Sequence, residues 1–271
     1  MTTDTVDVYI LGTGMVSARQ LTREAEQALD RVGDVYLLHP LPEVRALVRD
    51  RCDSVVDLTD EYERGSERSD SYEAMARRVL DRAADADDPI AFAVYGHPTA
   101  GVTPTELIRK RATDRDMRVE IVPGISSLDC LYAELGIDPF ARGMQVFEAT
   151  DLLLYDIDLD PETPAFVVQV GLTGTRLYDD RDSLPERFTP LKRHLLQFYP
   201  PDHTVSLVRT ATMAVAESER ISVALDDFET VAGAIDNTHS LFVPPVGERT
   251  LEREELAEKA YTREHLDRVT E

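Results

Sequence analysis

Short apolar segments alternate with amphipathic segments over the first half of this sequence. Each apolar run is bounded by glycine, proline or charged residues, which predicts a short β-strand. The runs lie at 6–11, 34–38, 54–58, 90–94 and 118–122. Apolar positions three and four apart in the intervening segments predict helices. The helices lie at 21–32, 43–51, 71–83 and from 103 onward. Strands that alternate with helices favour a parallel sheet covered on both faces.

The pattern changes after residue 123, where strands follow one another with few helices between them. The predicted strands lie at 145–148, 165–170, 204–209, 221–225 and 240–243. One convincing helical pattern, at 185–198, lies among them. This arrangement predicts a second α/β domain whose sheet is partly antiparallel.

We therefore expect an α/β protein with two domains. Residues 1–122 form the first, with a mainly parallel sheet, and residues 123–247 form the second, with a mixed sheet. The charged segment 248–271 has only a thin apolar stripe, which predicts a surface helix or a helix that packs on a partner. The stripe consists of Leu251, Leu256, Ala260 and Leu266.

A loop that contains glycine and histidine, Tyr-Gly-His-Pro-Thr-Ala-Gly at 95–101, follows the predicted strand at 90–94. The loop leads to a predicted helix start. Thr103 is the expected N-cap, Pro104 is the expected first helical residue, and Glu106 is expected to complete a capping box with Thr103. Ligands of open α/β sheets bind at the carboxyl ends of strands, so this loop is a candidate ligand site. A tight turn with a polar tip explains the same residues, because glycine also marks ordinary turns.

Gly-Thr-Gly at 12–14 follows the first predicted strand and resembles part of the dinucleotide-binding fingerprint. Ser17 stands where that fingerprint has its third glycine, and His39 lies in the region where an acidic residue is expected. A nicotinamide cofactor is therefore disfavoured. A further glycine turn, Pro-Gly-Ile-Ser-Ser at 123–127, opens a helix that Ser126 is expected to cap.

That helix has Asp129 at the capping-box position and Gly136 as its expected stop.

A different kind of segment lies at 59–70, between a strand and a helix, and it lacks a core pattern. It leaves the same sheet edge as the 95–101 loop if the sheet is parallel, and functional residues collect on such loops. Tyr62, Arg68 and Tyr72 lie in and just after it, although a solvated connector accounts for the segment equally well.

The chain of 271 residues is 42% hydrophobic, which is enough to bury substantial cores. Its formal net charge is −23, and lysine occurs only at 110, 192 and 259. The acidic residues are scattered through every segment, which is typical of a protein kept soluble at high salt, where screening weakens self-repulsion. The lack of a basic patch argues against a nucleic-acid partner.

No apolar run reaches the roughly 18 residues that a membrane span needs. The N-terminal residues lack the basic and apolar regions of a signal peptide. Cys52 and Cys130 lie far apart, which favours reduced thiols and a cytoplasmic protein. The histidines show no ligand spacing, so we expect no metal.

Three motifs gain meaning as a set: Gly-Thr-Gly at 12–14, Tyr-Gly-His-Pro at 95–98 and Ile-Val-Pro-Gly-Ile-Ser-Ser at 121–127. Together they resemble the tetrapyrrole methylase family of S-adenosylmethionine (SAM)-dependent methyltransferases. The resemblance covers about residues 6–245. It implies two α/β domains that hold SAM in the cleft between them. The segments 169–174 and 210–213 fall where the family has the SAM loops of its second domain.

His97 departs from the aspartate that tetrapyrrole-methylating members usually carry, and Gly-His-Pro is similar to the branch that methylates peptide backbone amides, the borosin α-N-methyltransferases. The segments that further resemble this branch are 129–139, 147–151, 240–245 and the connector at 59–70. Thr59 stands where the branch has a further tyrosine. The fused C-terminal peptide of well-known members does not appear after Pro245, so we expect a separate peptide substrate and, as in the family, a homodimer.

The resemblance implies roles for individual residues. Tyr62, Arg68 and Tyr72 fall on the catalytic positions of the branch, where an arginine and a phenol polarise the amide and the other phenol takes its proton; the sequence leaves open which tyrosine does which. The expected SAM-binding residues are Gly12, Gly14, Tyr95, Gly96, His97, Val102, Ser126, Ser127, Ala211, Met213 and Ser240. The alternative interpretation of His97 is a satisfied loop histidine, and without the resemblance Ala211 and Met213 are core residues.

Three functions remain open from the sequence. The first is SAM-dependent N-methylation of the backbone of a separate peptide. The second is C-methylation of a corrin or sirohaem precursor, which explains neither His97 nor the segment with Tyr62, Arg68 and Tyr72. The third is a SAM-binding partner protein without turnover, which the Thr59 departure and the missing substrate tail keep open.

Overall fold

The computed structural model describes residues 5–52, 54–179, 184–211, 217–249, 251–260 and 262–270. Within these ranges the chain forms two five-stranded sheets. The strands of the first sheet are β1 (Val8–Gly12), β2 (Asp34–Leu38), β3 (Ser54–Asp57), β4 (Ile90–Val94) and β5 (Val119–Val122). Their order is β3-β2-β4-β1-β5, and every pairing is parallel.

Helices cover both faces of this sheet, as the alternation of strands and helices predicts. They are α1 (Arg23–Leu29), α2 (Pro42–Arg51), α3 (Arg68–Asp85) and α4 (Thr103–Thr113). One core cluster joins α1 and α2 to the sheet, and another joins α3 and α4 to it. The central strands β1 and β4 are buried along their whole length, which explains why they appear in the sequence as unbroken apolar runs.

The second sheet is mixed, as expected. Its strands are β6 (Gln145–Glu148), β7 (Ala165–Val168), β8 (Thr204–Arg209), β9 (Glu219–Ala224) and β10 (Ser240–Val243). Their order is β6-β7-β10-β8-β9, in which β6 and β7 are parallel and the other neighbours are antiparallel. This topology lets the sheet form without a long helical crossover between most of its neighbouring strands.

Helices and 3₁₀ segments cover the second sheet as well. The helices are α5 (Ser127–Leu135), α6 (Pro139–Arg142), α7 (Ala149–Leu154) and α8 (Thr189–Leu195), and the longest 3₁₀ segment is Leu225–Ala234. The main core of this half is built around Phe188 and Phe228, and a smaller cluster on Phe166 joins α5 to the sheet. Two short helices, α9 (Glu254–Ala260) and α10 (Arg263–Val269), follow and bury none of their residues.

The structure corrects several predicted boundaries. Helix α3 begins at Arg68 rather than at residue 71, because the Arg68 N–H donates to the Arg176 carbonyl (3.0 Å) and the Asp70 N–H closes a turn onto Glu67. Helix α4 has Val102 at its N-cap without a side-chain cap, so the expected cap at Thr103 is wrong. The capping box of Ser126 and Asp129 and the left-handed Gly136 at the end of α5 form as predicted.

Three further corrections concern the second half. The helix expected at 185–198 is a 3₁₀ turn at Pro185–Arg187 followed by the shorter α8. Helix α7 and the 3₁₀ segment at 225–234 were not predicted, because neither segment has a long helical pattern. Strand β7 ends at Val168, since Gln169 adopts a left-handed conformation. Among the described helices, none is both long and apolar enough to span a bilayer.

Candidate functional site

Two adjoining cavities lie at the carboxyl ends of the first sheet's strands. The strand-end cleft, about 580 Å³ in volume, is lined by the loops after β1, β2 and β4, by the start of α5 and by the residues around the start of β10. The connector cavity, about 680 Å³, is lined by residues 67–69 and Tyr72, by α4, by the β6–α7 junction and by Arg176. Gly101, Val102 and Gln169 line both cavities, so the two spaces meet there.

Close packing of glycines shapes the floor beneath the strand-end cleft. A Cβ on Gly12 would lie 2.4 Å from the carbonyl oxygen of Gly96 and 2.8 Å from Cα of Gly124. The loops after β1 and β4 are also joined by reciprocal hydrogen bonds between Gly14 and Gly96, of 3.0 and 3.3 Å. Gly12 and Gly14 therefore lie behind the cleft lining, where they let three loops approach one another.

Tyr95 and His39 form an aromatic pair in the wall of the cleft. Their rings meet edge to face with centroids 5.1 Å apart. Burial, with a smaller contribution from Cys130, raises the pKa of Tyr95 to about 12. Burial also lowers the pKa of His39 to about 4, with a further contribution from the charge of Arg45. The Leu41 N–H donates to Nδ1 of the neutral His39 (3.0 Å).

His97 also lines the cleft, and its Nδ1 accepts a hydrogen bond from the Thr99 N–H (3.2 Å). The other ring nitrogen is thereby turned away from the local turn. Ser126 and Ser127 line the cleft at the start of α5. The Ser126 hydroxyl lies 2.6 Å from Oδ2 of Asp129 within the capping box, so its position is fixed by the helix start.

Residues before β10 contribute a polar wall that was not expected from the sequence. Asn237, Thr238 and His239 line the cleft beside Ser240. His239 is 1% exposed, its Nδ1 lies 2.9 Å from a carboxylate oxygen of Asp236, and its buried Nε2 has no hydrogen-bond partner among the described residues. The nearby Ser240 motif was the only sequence signal for this wall.

Most of the remaining expected SAM-binding residues line the strand-end cleft. Tyr95, Gly96, Val102 and Ser240 line the cleft, whereas Ala211 does not. The Ala211 N–H instead donates to the Ser218 hydroxyl (3.2 Å). Met213 lies outside the described residues.

Gln169 stands at the junction of the two cavities with φ 56° and ψ 37°. Few residues other than glycine adopt this left-handed conformation, and such strain is often retained at functional positions. It ends β7 and places Gln169 in the lining of both cavities. The position was noted in the sequence only as part of the 169–174 segment.

The connector is held against the second half of the molecule by backbone hydrogen bonds. The Gly65 N–H donates to the Tyr178 carbonyl (2.9 Å), the Tyr178 N–H donates to the Ser66 carbonyl (3.0 Å), and an isolated antiparallel bridge joins Glu67 to Leu177. The segment predicted as either a functional or a solvated connector is thus an ordered crossing between the two halves.

Arg68 lines the connector cavity and donates from Nη2 to the Thr175 carbonyl (3.0 Å) and from Nε to the Arg176 carbonyl (3.3 Å). A guanidinium has five N–H groups, so further donors remain for a ligand. The two backbone contacts fix the plane of the guanidinium at the edge of the cavity. Tyr72, the other residue of the predicted catalytic set that lines a cavity, lines this same one.

Three tyrosines, Tyr72, Tyr62 and Tyr178, pack in a row at the site. Tyr72 lines the connector cavity, whereas Tyr62 lines neither cavity and contacts Tyr72 edge to face (6.2 Å). Tyr62 also stacks on Tyr178, a residue that the sequence did not single out. Burial is the largest cause that raises the pKa of Tyr62, followed by the charge of Tyr72 and a hydrogen bond to it.

Thr59 lies in the lining of the strand-end cleft, not of the connector cavity. Its hydroxyl donates to Oδ1 of Asp57 (2.6 Å), and Asp57 pairs with Arg45. Thr59, which stands where the borosin branch has a tyrosine, therefore belongs to a local network with Asp57 and Arg45. It leaves Tyr62, Arg68 and Tyr72 together without a fourth side chain from residue 59.

Comparisons with known proteins add the following. The profile of the Tetrapyrrole (Corrin/Porphyrin) Methylases matches residues 7–226. A methyltransferase/ribosomally synthesized type I borosin cyclic peptide precursor from Coprinopsis marcescibilis is 32% identical over 72% of this chain and 50% of its own length. The omphalotin A precursor methyltransferase of Omphalotus olearius is 26% identical over 87% of this chain and 57% of its own length.

This chain therefore spans about half the length of the curated relatives that it matches. Among solved structures, a uroporphyrin-III C-methyltransferase from Thermus thermophilus superposes with a TM-score of 0.63 at 20% identity, over 88% of this chain and 92% of its own. The same type of enzyme complexed with S-adenosyl homocysteine gives 0.62 at 17% identity, over 88% and 96%. These structures show that the two-sheet fold is shared.

Proposed function

Because this chain belongs to the tetrapyrrole (corrin/porphyrin) methylase family, we propose that it is a SAM-dependent methyltransferase that N-methylates backbone amides of a peptide. The observation that carries the proposal is the meeting of two cavities at Gly101, Val102 and Gln169. One cavity holds the methyl donor, and the other brings the acceptor to Arg68 and Tyr72. The printed descriptions of the borosin relatives support the choice of a peptide acceptor.

The strand-end cleft fits SAM in size and chemistry. The glycine contacts at Gly12, Gly96 and Gly124 exclude side chains from its floor, so a ligand can approach the backbone. The buried Nε2 of His239 lies 3.7 Å from a carboxylate oxygen of Glu219 and has no hydrogen-bond partner among the described residues, so it can bond a polar group of the donor. Tyr95 offers an aromatic face to a sulfonium. When bound, SAM supplies an electrophilic methyl group.

The residues of the connector cavity suit the acceptor. An amide nitrogen is a weak nucleophile because its lone pair is delocalised into the carbonyl. Arg68, aimed at the amide oxygen, stabilises the charge that builds there, an effect worth roughly 3–4 kcal/mol per donor at comparable sites. Tyr72 lines the same cavity, and its phenolic oxygen acts as the base that takes the amide proton.

Tyr62 then has a supporting role. It lies behind Tyr72, outside both cavities, and its raised pKa keeps its hydroxyl protonated. A protonated Tyr62 donates its hydrogen bond to the Tyr72 oxygen and holds that oxygen in place. The proposal thus gives Tyr72 the role of base and Tyr62 the role of support, which the sequence left interchangeable.

The charge of the connector cavity disfavours the second candidate, C-methylation of a tetrapyrrole. Among its described lining residues, Glu67, Glu106, Glu148 and Asp151 outnumber Arg68, Arg109 and Arg176. Biosynthetic tetrapyrroles carry several carboxylates, which such a lining repels. The third candidate, a SAM-binding protein without turnover, predicts SAM binding and no transfer to any acceptor.

A transfer assay with labelled SAM separates the three candidates. Three reactions are compared. The first contains a pool of synthetic peptides built from Val, Ile, Leu, Ala and Gly, the second contains uroporphyrinogen III, and the third contains no added acceptor. We expect label in the peptides, whereas label only in the tetrapyrrole supports the second candidate, and SAM binding without transfer supports the third. Label on the chain itself without added acceptor would contradict a separate peptide substrate.

We also propose that the acceptor is a separate polypeptide, which is supported by the exposed Glu67 and Arg109 at the edge of the connector cavity, where a chain can enter from solvent. The two sheets and their separate cores support the domain boundaries 1–122 and 123–247, with 248–271 as a charged appendage.

We further propose a homodimer in the cytoplasm of a salt-adapted cell. The exposure of Phe140 (93%), Tyr155 (69%) and Leu154 (58%) supports a second copy as partner, because such large apolar side chains favour burial. The net charge of −23 supports salt adaptation. Sedimentation at high and low salt tests the oligomer, and a monomer at both would contradict it.

A further inference from the structure

Two buried polar atoms in the wall of the connector cavity have no hydrogen-bond partner among the described residues. Thr105 is 2% exposed, and its Oγ1 is one of these atoms. The other is Oε1 of Glu148, whose second carboxylate oxygen accepts a bond from the Asp151 N–H (2.7 Å). Buried polar groups without partners are rare because their desolvation is uncompensated, so each needs an explanation.

The two atoms come from the two halves of the molecule and complement each other chemically. Thr105 lies in the first turns of α4, which covers the first sheet, and Glu148 ends β6 in the second sheet. A carboxylate can only accept hydrogen bonds, whereas a threonine hydroxyl can also donate one. The chemistry assigned to Arg68 and Tyr72 uses neither atom.

We infer, on the basis of the proposed function, that Thr105 and Glu148 bind a peptide group of the acceptor next to the amide that is methylated. A trans peptide group presents its N–H and its C=O in opposite directions, so two walls can bond it at once. Glu148 accepts the N–H, and Thr105 donates to the carbonyl. The terminal torsion of glutamate is broad, and the hydroxyl hydrogen rotates freely, so both groups can turn to the cavity surface.

This pair defines the acceptor by its backbone rather than by its side chains. The group bound by Glu148 must carry an N–H, so proline or an already methylated residue is excluded at that one flanking position. The carboxylates of a macrocycle such as a tetrapyrrole only accept hydrogen bonds, so they offer no donor to Glu148. The acceptor class is therefore an extended peptide with a free amide beside the reacting one.

The test combines two variants with modified peptides. A peptide that the wild-type protein methylates is resynthesised with an ester in place of each flanking amide, which removes the N–H. Glu148→Gln keeps the shape and the bond to Asp151, and Thr105→Val keeps the branched side chain without the hydroxyl. Glu134→Gln and Thr113→Val change exposed residues that line neither cavity and serve as matched controls.

We expect Glu148→Gln to raise KM for the peptide about tenfold, the effect of one hydrogen bond to a charged group. Thr105→Val should raise it about fivefold, as for a neutral hydrogen bond, and neither control should raise it. One flanking ester should raise KM similarly in the wild type and cause little further change in Glu148→Gln. SAM binding and thermal unfolding should match the wild type, which excludes misfolding.

Equal KM values in all proteins, or an ester penalty that is the same in the wild type and in Glu148→Gln, would overturn the inference while the methyl transfer of the wild type stands. If the wild type methylates no peptide at all, the proposed function fails and this inference fails with it.

Discussion

The ring of Tyr62 stacks on the ring of Tyr178, with centroids 4.9 Å apart and ring planes 21° from parallel. Tyr178 belongs to the segment that follows β7, whereas Tyr62 belongs to the connector before α3. The same two segments exchange backbone hydrogen bonds at Gly65 and Ser66. The second half of the molecule thus fixes the position of Tyr62, the side chain to which the proposed mechanism gives a supporting role.

Loss of the Tyr178 ring should slow turnover without weakening SAM binding. In Tyr178→Leu the support behind Tyr62 is removed, and we expect kcat to fall about fivefold, as for loss of an aromatic pair worth about 1 kcal/mol. Tyr178→Phe keeps the ring and should restore kcat. The pH dependence of kcat should change in Tyr178→Leu only; identical pH profiles in all three proteins would show that Tyr178 is merely structural.

A side chain at Gly12 should destabilise the fold. The Cβ of Gly12→Ala would meet backbone atoms of Gly96 and Gly124 at 2.4–2.8 Å, and backbone cannot move aside cheaply. We expect a loss of about 1–3 kcal/mol in the free energy of unfolding. Gly233→Ala is the matched control, since a Cβ there has nothing within 4 Å. Equal stability of both variants in denaturant titration would contradict the close packing.

His39 should make stability depend on pH in mildly acidic solution. Its pKa falls from 6.5 to about 4 on folding, so the unfolded chain binds the extra proton between these values. The stabilisation that comes from the neutral ring is complete above pH 6.5 and is lost as the pH falls to about 4. The difference between these two pKa values corresponds to at most about 3 kcal/mol in the free energy of unfolding.

The measurement is the difference in unfolding free energy between the wild type and His39→Asn at several pH values, since other groups titrate equally in both. The advantage of the wild type should shrink as the pH drops. His265→Asn, on α10 outside the core, controls for the substitution itself. A difference that stays constant from neutral pH to about pH 4 would contradict the burial of a neutral His39.

Salt should stabilise the protein strongly. At a net charge of −23 the folded chain repels itself, and screening lengths shrink from about 10 Å at 0.1 M to about 3 Å at 1 M salt. We expect Tm to rise steadily with KCl up to molar concentrations. Sucrose of equal osmotic strength controls for general exclusion effects and should raise Tm less. A Tm that does not change with KCl would contradict salt adaptation.

The strands were largely predictable because they carry a local signal. Asp34–Leu38, Ile90–Val94, Thr204–Arg209 and Ser240–Val243 have the predicted bounds, since burial leaves unbroken apolar runs or alternation. Helix starts were harder. The start of α3 at Arg68 depends on a bond to Arg176, more than a hundred positions away along the chain.

The site was predictable only where a motif marks it. Tyr95, His97 and Ser126 line the expected cleft, and Arg68 and Tyr72 line the neighbouring cavity. Tyr178, Gln169 and His239 gain their roles from contacts between distant segments, which local patterns do not record. The placement of Tyr62 behind Tyr72 likewise follows from packing alone.

The most direct test is to locate the transferred methyl group by fragmentation mass spectrometry, after incubation of a peptide with SAM and either the wild type or Arg68→Ala. Arg68→Ala should bind SAM normally, because Arg68 lines only the connector cavity, and its kcat should fall about 10²–10³-fold. Arg77→Ala, an exposed change on the same helix, should have no effect. Methyl on a backbone nitrogen, lost in Arg68→Ala alone, is the predicted result. Methyl on a side chain, or transfer that Arg68→Ala leaves unchanged, would contradict it.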